Sequence, residues 1–176
     1  MSRRSFLAAG CVGVVSSTLP FINTARADDG NGKMKIRVIF VLRGPVADLP
    51  CWPNIGFNFV PVMEETIDAL NSRCSGIDFI PGMSGTNAQI QRILSEDAAA
   101  GNIDGYLVMQ MQTNVRAWEP VLGTGKPVLF TEMIYGGGGA FLRPTSRLLR
   151  RRVPNFAFIT GGSLDDLVAA AQNYQL

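Results

Sequence analysis

Apolar positions along the chain alternate between short continuous runs and longer stretches at helical spacing. Residues 35–42, KIRVIFVL, are almost uniformly β-branched or apolar, which predicts a strand covered on both faces. A loop with three prolines follows, and then Phe59, Val62, Met63, Ile67 and Leu70 mark one face of a helix whose first turn is the only place for Pro61. The rhythm repeats: a short strand at 76–80, then a helix at 86–100 with Ile90, Ile93, Leu94 and Ala98 inward and Thr86 or Asn87 as N-cap. A third strand is expected at 104–111, a short helix at 116–122 stopped by Gly123, and a fourth strand at 126–132. A fifth strand at 155–160 precedes a helix capped by Ser163, with Asp165 and Asp166 placed to complement its dipole.

Strands alternating with helices through mostly short turns predict an α/β fold, a three-layer sandwich around a parallel sheet with right-handed crossovers. Five strands suggest a flavodoxin/Rossmann-like order, 2-1-3-4-5. In such sheets ligands bind beyond the carboxyl ends of the strands, so chemistry is sought in the loops that follow them. Those loops offer Arg43, Trp52, Gln110, Gln112, Glu132 and Arg143 as candidate substrate contacts. Each has a plainer reading: Trp52 as a packing anchor, the two glutamines as solvent-facing or backbone-capping groups. Glu132 ends a buried strand, where a carboxylate must be hydrated, paired or hydrogen-bonded.

The first 27 residues change the charge picture. An arginine pair framed as SRRSFL, an uncharged apolar run and an Ala-Arg-Ala ending have the layout of a twin-arginine export signal, so cleavage after Ala27 and a periplasmic or secreted location are expected. A lipoprotein box ending at Cys11 fits less well, because most of the apolar run follows it. The run is too short for a stable membrane span, which needs roughly 20 apolar residues. Cleavage would leave 13 basic and 14 acidic residues, so the precursor's +2 offers no case for nucleic acid. Residues 28–34 read as a lead-in and 35–176 as one domain.

Cys51 and Cys74 lie beyond the signal without metal-like spacing, which leaves a disulfide and two buried thiols both open. The chain has no histidine, which excludes Ser-His-Asp and Cys-His catalysis and any imidazole-bound metal within it. Neither a dinucleotide fingerprint nor a P-loop follows the first strand; Gly125-Lys126 precedes a proline and a strand, so it is a turn on the opposite edge. Residues 135–152, YGGGGAFLRPTSRLLRRR, resemble a phosphate cradle only superficially. Gly136, Gly137, Gly138 and Gly139 are expected to form a flexible flap, followed by a short, helical basic crossover whose arginines are solvated or meet an acidic partner subunit.

GTGKPVLF at 123–130, the glycine run, an arginine-bearing segment and a strand leading to SLDDL at 163–167 resemble the first domain of the L-fucose isomerase-like family, which includes L-fucose and L-arabinose isomerases. DGYLVM at 104–109 and WPNIG at 52–56 are similar to positions in the same relatives. The resemblance implies an exported sugar-isomerase-like N-terminal domain, a relative of aldose-ketose isomerases that is catalytically incomplete by itself. Family enzymes hold manganese with glutamate, aspartate and histidine from later domains, so no catalytic residue, metal ligand or cofactor transfers to this chain. A divalent metal is expected only with downstream domains, and the frame reads as the first part of a longer or truncated protein. Carbohydrate is the implied ligand class, with a homo-oligomer or partner subunit as assembly. A periplasmic sugar-binding or protein-interaction module is the alternative.

Overall fold

A computed structural model describes residues 32–175, apart from 51, 113–115, 135, 137 and 161. The segment expected to be an export signal and Cys51 therefore lie outside the described residues. Five strands, β1 (Met34–Val41), β2 (Ile77–Ser84), β3 (Gly105–Gln110), β4 (Val128–Glu132) and β5 (Phe156–Phe158), form one sheet. Its order is β2-β1-β3-β4-β5 and every pairing is parallel, as the alternating pattern predicts. The helices are α1 (Val60–Arg73), α2 (Asn87–Ala100), α3 (Trp118–Leu122), α4 (Gly138–Arg151) and α5 (Leu164–Ala171), the last running into a 3-10 turn, Gln172–Gln175.

The sheet is buried on both faces, so its central strands carry apolar residues at nearly every position. Val38 and Phe40 of β1 pack with Phe59 and Leu70 beneath α1 and with Leu167 and Val168 of α5. Ile39 and Val41 point the other way, toward Ile90 and Leu94 of α2, Val121 of α3 and Phe141 and Leu148 of α4. Thr86 caps α2 by accepting from the Gln89 N–H, and Ser163 with Asp166 closes a reciprocal capping box on α5.

Three local expectations are corrected. Strand β2 runs to Ser84, through Pro81 and Gly82, where a loop was expected. It is an edge strand, so the missing Pro81 N–H interrupts no second ladder. On α2 the third inward position is Asp97, 1% exposed, whereas Ala98 is exposed. Asp97 accepts from Arg37 Nε at 3.1 and 3.2 Å and from its Nη2, and it hydrogen-bonds the Tyr106 hydroxyl. That satisfied ionic cluster is what lets a carboxylate occupy a core position.

The third correction concerns the glycine run, where α4 begins at Gly138 and continues for 14 residues across Pro144. Gly138 and Gly139 belong to its first turn, Gly136 is buried in the preceding turn, and Gly137 lies outside the described residues. The helix forms because Phe141, Pro144, Thr145 and Leu148 bury one stripe on the sheet. Pro144 forfeits one intrahelical hydrogen bond, and the Thr145 hydroxyl bonds the Phe141 carbonyl at 2.7 Å.

At the opposite edge, Tyr174 is built into the sheet. Its hydroxyl accepts from the Leu129 N–H at 2.9 Å and donates to the Tyr106 carbonyl, relaying a hydrogen bond between β4 and β3. Burial pushes the Tyr174 phenol well above its ordinary range, against the partial relief of the Leu129 N–H.

Candidate functional site

Strand order reverses between β1 and β3, so the crevice expected to hold ligand lies at their carboxyl ends. Here the chain's own polar groups join the strand ends. Gln112, 6% exposed, accepts the Arg43 backbone N–H on its Oε1 at 2.7 Å, and its own N–H bonds the Val41 carbonyl at 3.1 Å. Gln110 is fully buried, and its side-chain amide donates to the Gln112 carbonyl. The Met133 N–H then bonds the Gln110 carbonyl at 2.9 Å, which attaches β4 to the same cluster. Gln112 thus cross-links the ends of β1 and β3, and Gln110 braces Gln112 from within β3.

Two glycines let neighbouring backbones close over this cluster. A Cβ at Gly85 would lie 2.7 Å from Arg43 Cα, and one at Gly136 would lie 2.6 Å from the Met111 carbonyl oxygen. Neither position can carry a side chain without moving main chain. Their sequence signal was only a glycine after a strand, which reads equally as a turn.

Glu132 sits half-buried at the end of β4, and its side chain takes a hydrogen bond from the backbone of Gly138. It therefore occupies one of the free amides at the α4 N-terminus. Burial raises its carboxyl above the usual range, and the Gly138 amide partly offsets the rise. The carboxyl is thus both a helix cap and a group biased toward accepting a proton.

Arg43 and Trp52 remain at the surface. The chain leaving β1 doubles back on itself, with Val46 bridging Asn58 antiparallel and the Ala47 N–H donating to the Phe57 carbonyl at 2.9 Å. Trp52, half exposed and followed by a cis peptide to Pro53, lies on this excursion with exposed Val46, Leu49 and Ile55. Asn54 holds the tip by bonding the Ile55 carbonyl at 2.8 Å. Arg43 and Trp52, with the accessible part of Glu132, are the candidates that can meet a ligand directly.

Arg143 belongs to a different feature. A groove of about 640 Å³ between α3 and α4 is lined by Arg116, Arg143, Arg147 and Arg150, with Glu119 as its one carboxylate. Gly139, Ala140 and the largely buried Trp118 also line it. None of these four guanidiniums is ion-paired among the described residues.

Among the described residues no three of Cys, Asp and Glu converge as metal ligands. Cys74 is a free thiol buried under α5, donating weakly to the Val168 carbonyl, and burial pushes it up despite the neighbouring Arg73. No helix among the described residues is long and apolar enough to cross a membrane. Taken together, fold and edge define a doubly wound α/β domain with a self-braced switch point. No family model, curated protein or solved structure matches the chain at a significant level.

Proposed function

We propose that this chain is an exported, sugar-isomerase-like α/β domain that contributes a wall to a carbohydrate site and leaves the chemistry to groups outside the described residues. The observation that supports it is the arrangement at the carboxyl edge. The Gln110–Gln112 brace anchors the Arg43 backbone at the switch point, with half-exposed Trp52 on the adjoining excursion and the Glu132 carboxyl at the end of β4. An aromatic face stacks on the apolar side of a sugar ring, while a guanidinium donates to its hydroxyls and a carboxylate accepts from them. A carbohydrate-metabolism role through an aldose-ketose isomerase relative, as the motifs suggest, uses this wall without requiring a catalytic pair in it.

Saturation-transfer NMR of the full chain with aldoses and ketoses at millimolar concentration tests the carbohydrate part. Transfer to sugar protons is expected, diminished in Trp52→Ala; no transfer to any sugar overturns it. Aldose-to-ketose conversion by this chain alone with added manganese would overturn the other part, that it is catalytically incomplete.

A further inference from the structure

The structure holds two unused charged helix faces that match one another. On α4, Arg143, Arg147 and Arg150 recur at i, i+4 and i+7, all exposed. On α1, Glu64 and Asp68 recur at i and i+4 with Glu65 beside them, also exposed. At a rise of 1.5 Å per residue, Arg143 to Arg147 and Glu64 to Asp68 each span roughly 6 Å along their helices. Neither set is ion-paired among the described residues; the Lys and Arg pairs present involve Asp78, Asp97, Asp165 and Glu96.

The arginine row is also edged by Leu142 and Leu149, 58% and 46% exposed, whereas Met63 and Ile67 beside the acids pack largely on the chain's own core and leave only their outer edges accessible. Arginine beside exposed leucine suits a polypeptide partner better than a small polar anion, which has no use for the leucines. The mixture favours a helix bearing carboxylates and aliphatic groups, and α1 of another copy is such a helix.

We propose that α4 of one copy docks on α1 of the next, so that this chain self-associates head to tail through charge. The two helices cover opposite faces of the sheet, α1 with α5 on one and α4 with α2 and α3 on the other. Two copies cannot make both contacts with each other, so the association is heterologous and grows with concentration rather than stopping at a dimer. A contact of one helix on another is small, below the roughly 1,200 Å² of stable complexes, which makes it weak and reversible. This inference is independent of the carbohydrate reading, since neither helix face contributes to the Arg43–Trp52 edge.

Sedimentation velocity of the full chain tests it, at about 0.1 M and about 1 M NaCl, between which the Debye length falls from about 10 Å to about 3 Å. Concentration-dependent growth beyond dimer is expected at low salt and its loss at high salt. Arg147→Glu with Arg150→Glu, and separately Glu64→Lys with Asp68→Lys, should each weaken association about tenfold or more, because like charges then face each other. Mixing the two variants should restore it, since each then meets an opposite charge on its neighbour. That rescue also shows both variants are folded, as neither can rescue the other otherwise. A monomer at every low-salt concentration, a closed dimer, association that persists in both variants, or a mixture of correctly folded variants that fails to associate overturns the proposal.

Discussion

Asp97→Ala provides a direct test of the interior, because it removes one member of a buried ionic cluster and leaves the other in place. Asp97 is 1% exposed and bonds Arg37 through three nitrogen-oxygen contacts, two of them at 3.1 and 3.2 Å. Removing one partner of a buried pair costs about 3–5 kcal/mol, since the remaining charge is left uncompensated. The Arg37 side chain keeps 19% of its exposure and can recover some water, which places the loss near the lower end, about 3 kcal/mol. For a domain of this size that corresponds to a fall in Tm on the order of 10 °C.

Urea unfolding followed by far-UV circular dichroism measures the loss, with an unchanged m-value showing that both states are otherwise intact. A second readout is specific to the geometry. The Tyr106 phenol is pushed up to about 12, first by burial and then by the Asp97 charge and hydrogen bond, with Arg37 opposing. In Asp97→Ala its titration at 295 nm should move down while staying above the ordinary tyrosine range, since burial remains. The double variant Arg37→Met with Asp97→Leu should recover most of the stability, because an apolar pair of similar volume leaves no charge behind. A loss under about 0.5 kcal/mol, the range of ordinary surface changes, would refute the buried pair and the α2 register that creates it.

Three further outcomes are expected. Glu132→Gln retains an acceptor for the Gly138 amide but removes the ionised form that burial disfavours. Because the folded-state carboxyl is raised, the native protein holds its proton longer than the unfolded chain, so wild-type stability falls as pH rises above the unfolded carboxyl range. The variant should therefore gain on wild type in denaturant midpoints measured from pH 4 upward, and a difference that is flat with pH refutes the assignment. Tyr174→Phe strips the relay from the Leu129 N–H and the Tyr106 carbonyl, costing about 1–3 kcal/mol in urea unfolding; a neutral result would mean that the strands pair directly. Gly136→Ala drives a Cβ to 2.6 Å from the Met111 carbonyl oxygen, so a loss of about 1–3 kcal/mol is expected, and wild-type stability would show that the turn is not packed there.

Element order and most helix faces were legible in the sequence because they depend on local periodicity, and strand order followed from the usual arrangement of five strands alternating with helices. KIRVIFVL can only be a doubly covered strand, and Ser163 with Asp165 and Asp166 marks a helix start at any tertiary placement. The glycine run misled for an identifiable reason. Gly138 and Gly139 disfavour a helix by local propensity, and Pro144 argues against continuing one. Burial of Phe141 and Leu148 on the sheet, and a cap from Glu132, outweigh that local cost. Asp97 was missed because a carboxylate carries no apolar signal; its place depends on Arg37, 60 residues earlier, and Tyr106 on the neighbouring strand.

The candidate site divides along the same line. Sequence alone marked Arg43, Trp52, Gln110, Gln112, Glu132 and Arg143 as lying toward the carboxyl edge, since each ends a strand or lies in the segment after one. It could not separate those turned outward from those consumed by the fold. Only the parallel pairing of β1 with β3 and β3 with β4 brings Gln112 to the Arg43 amide and Gln110 beneath it, so both glutamines bond backbone. In the same way the arginines of 143–152 were evident as charge from the start. Whether they form one face depended on the helix extending back to Gly138, which sets Arg143 in register with Arg147 and Arg150. Periodicity is a property of neighbouring residues and is written in the chain, whereas burial and charge pairing depend on what the fold places opposite them.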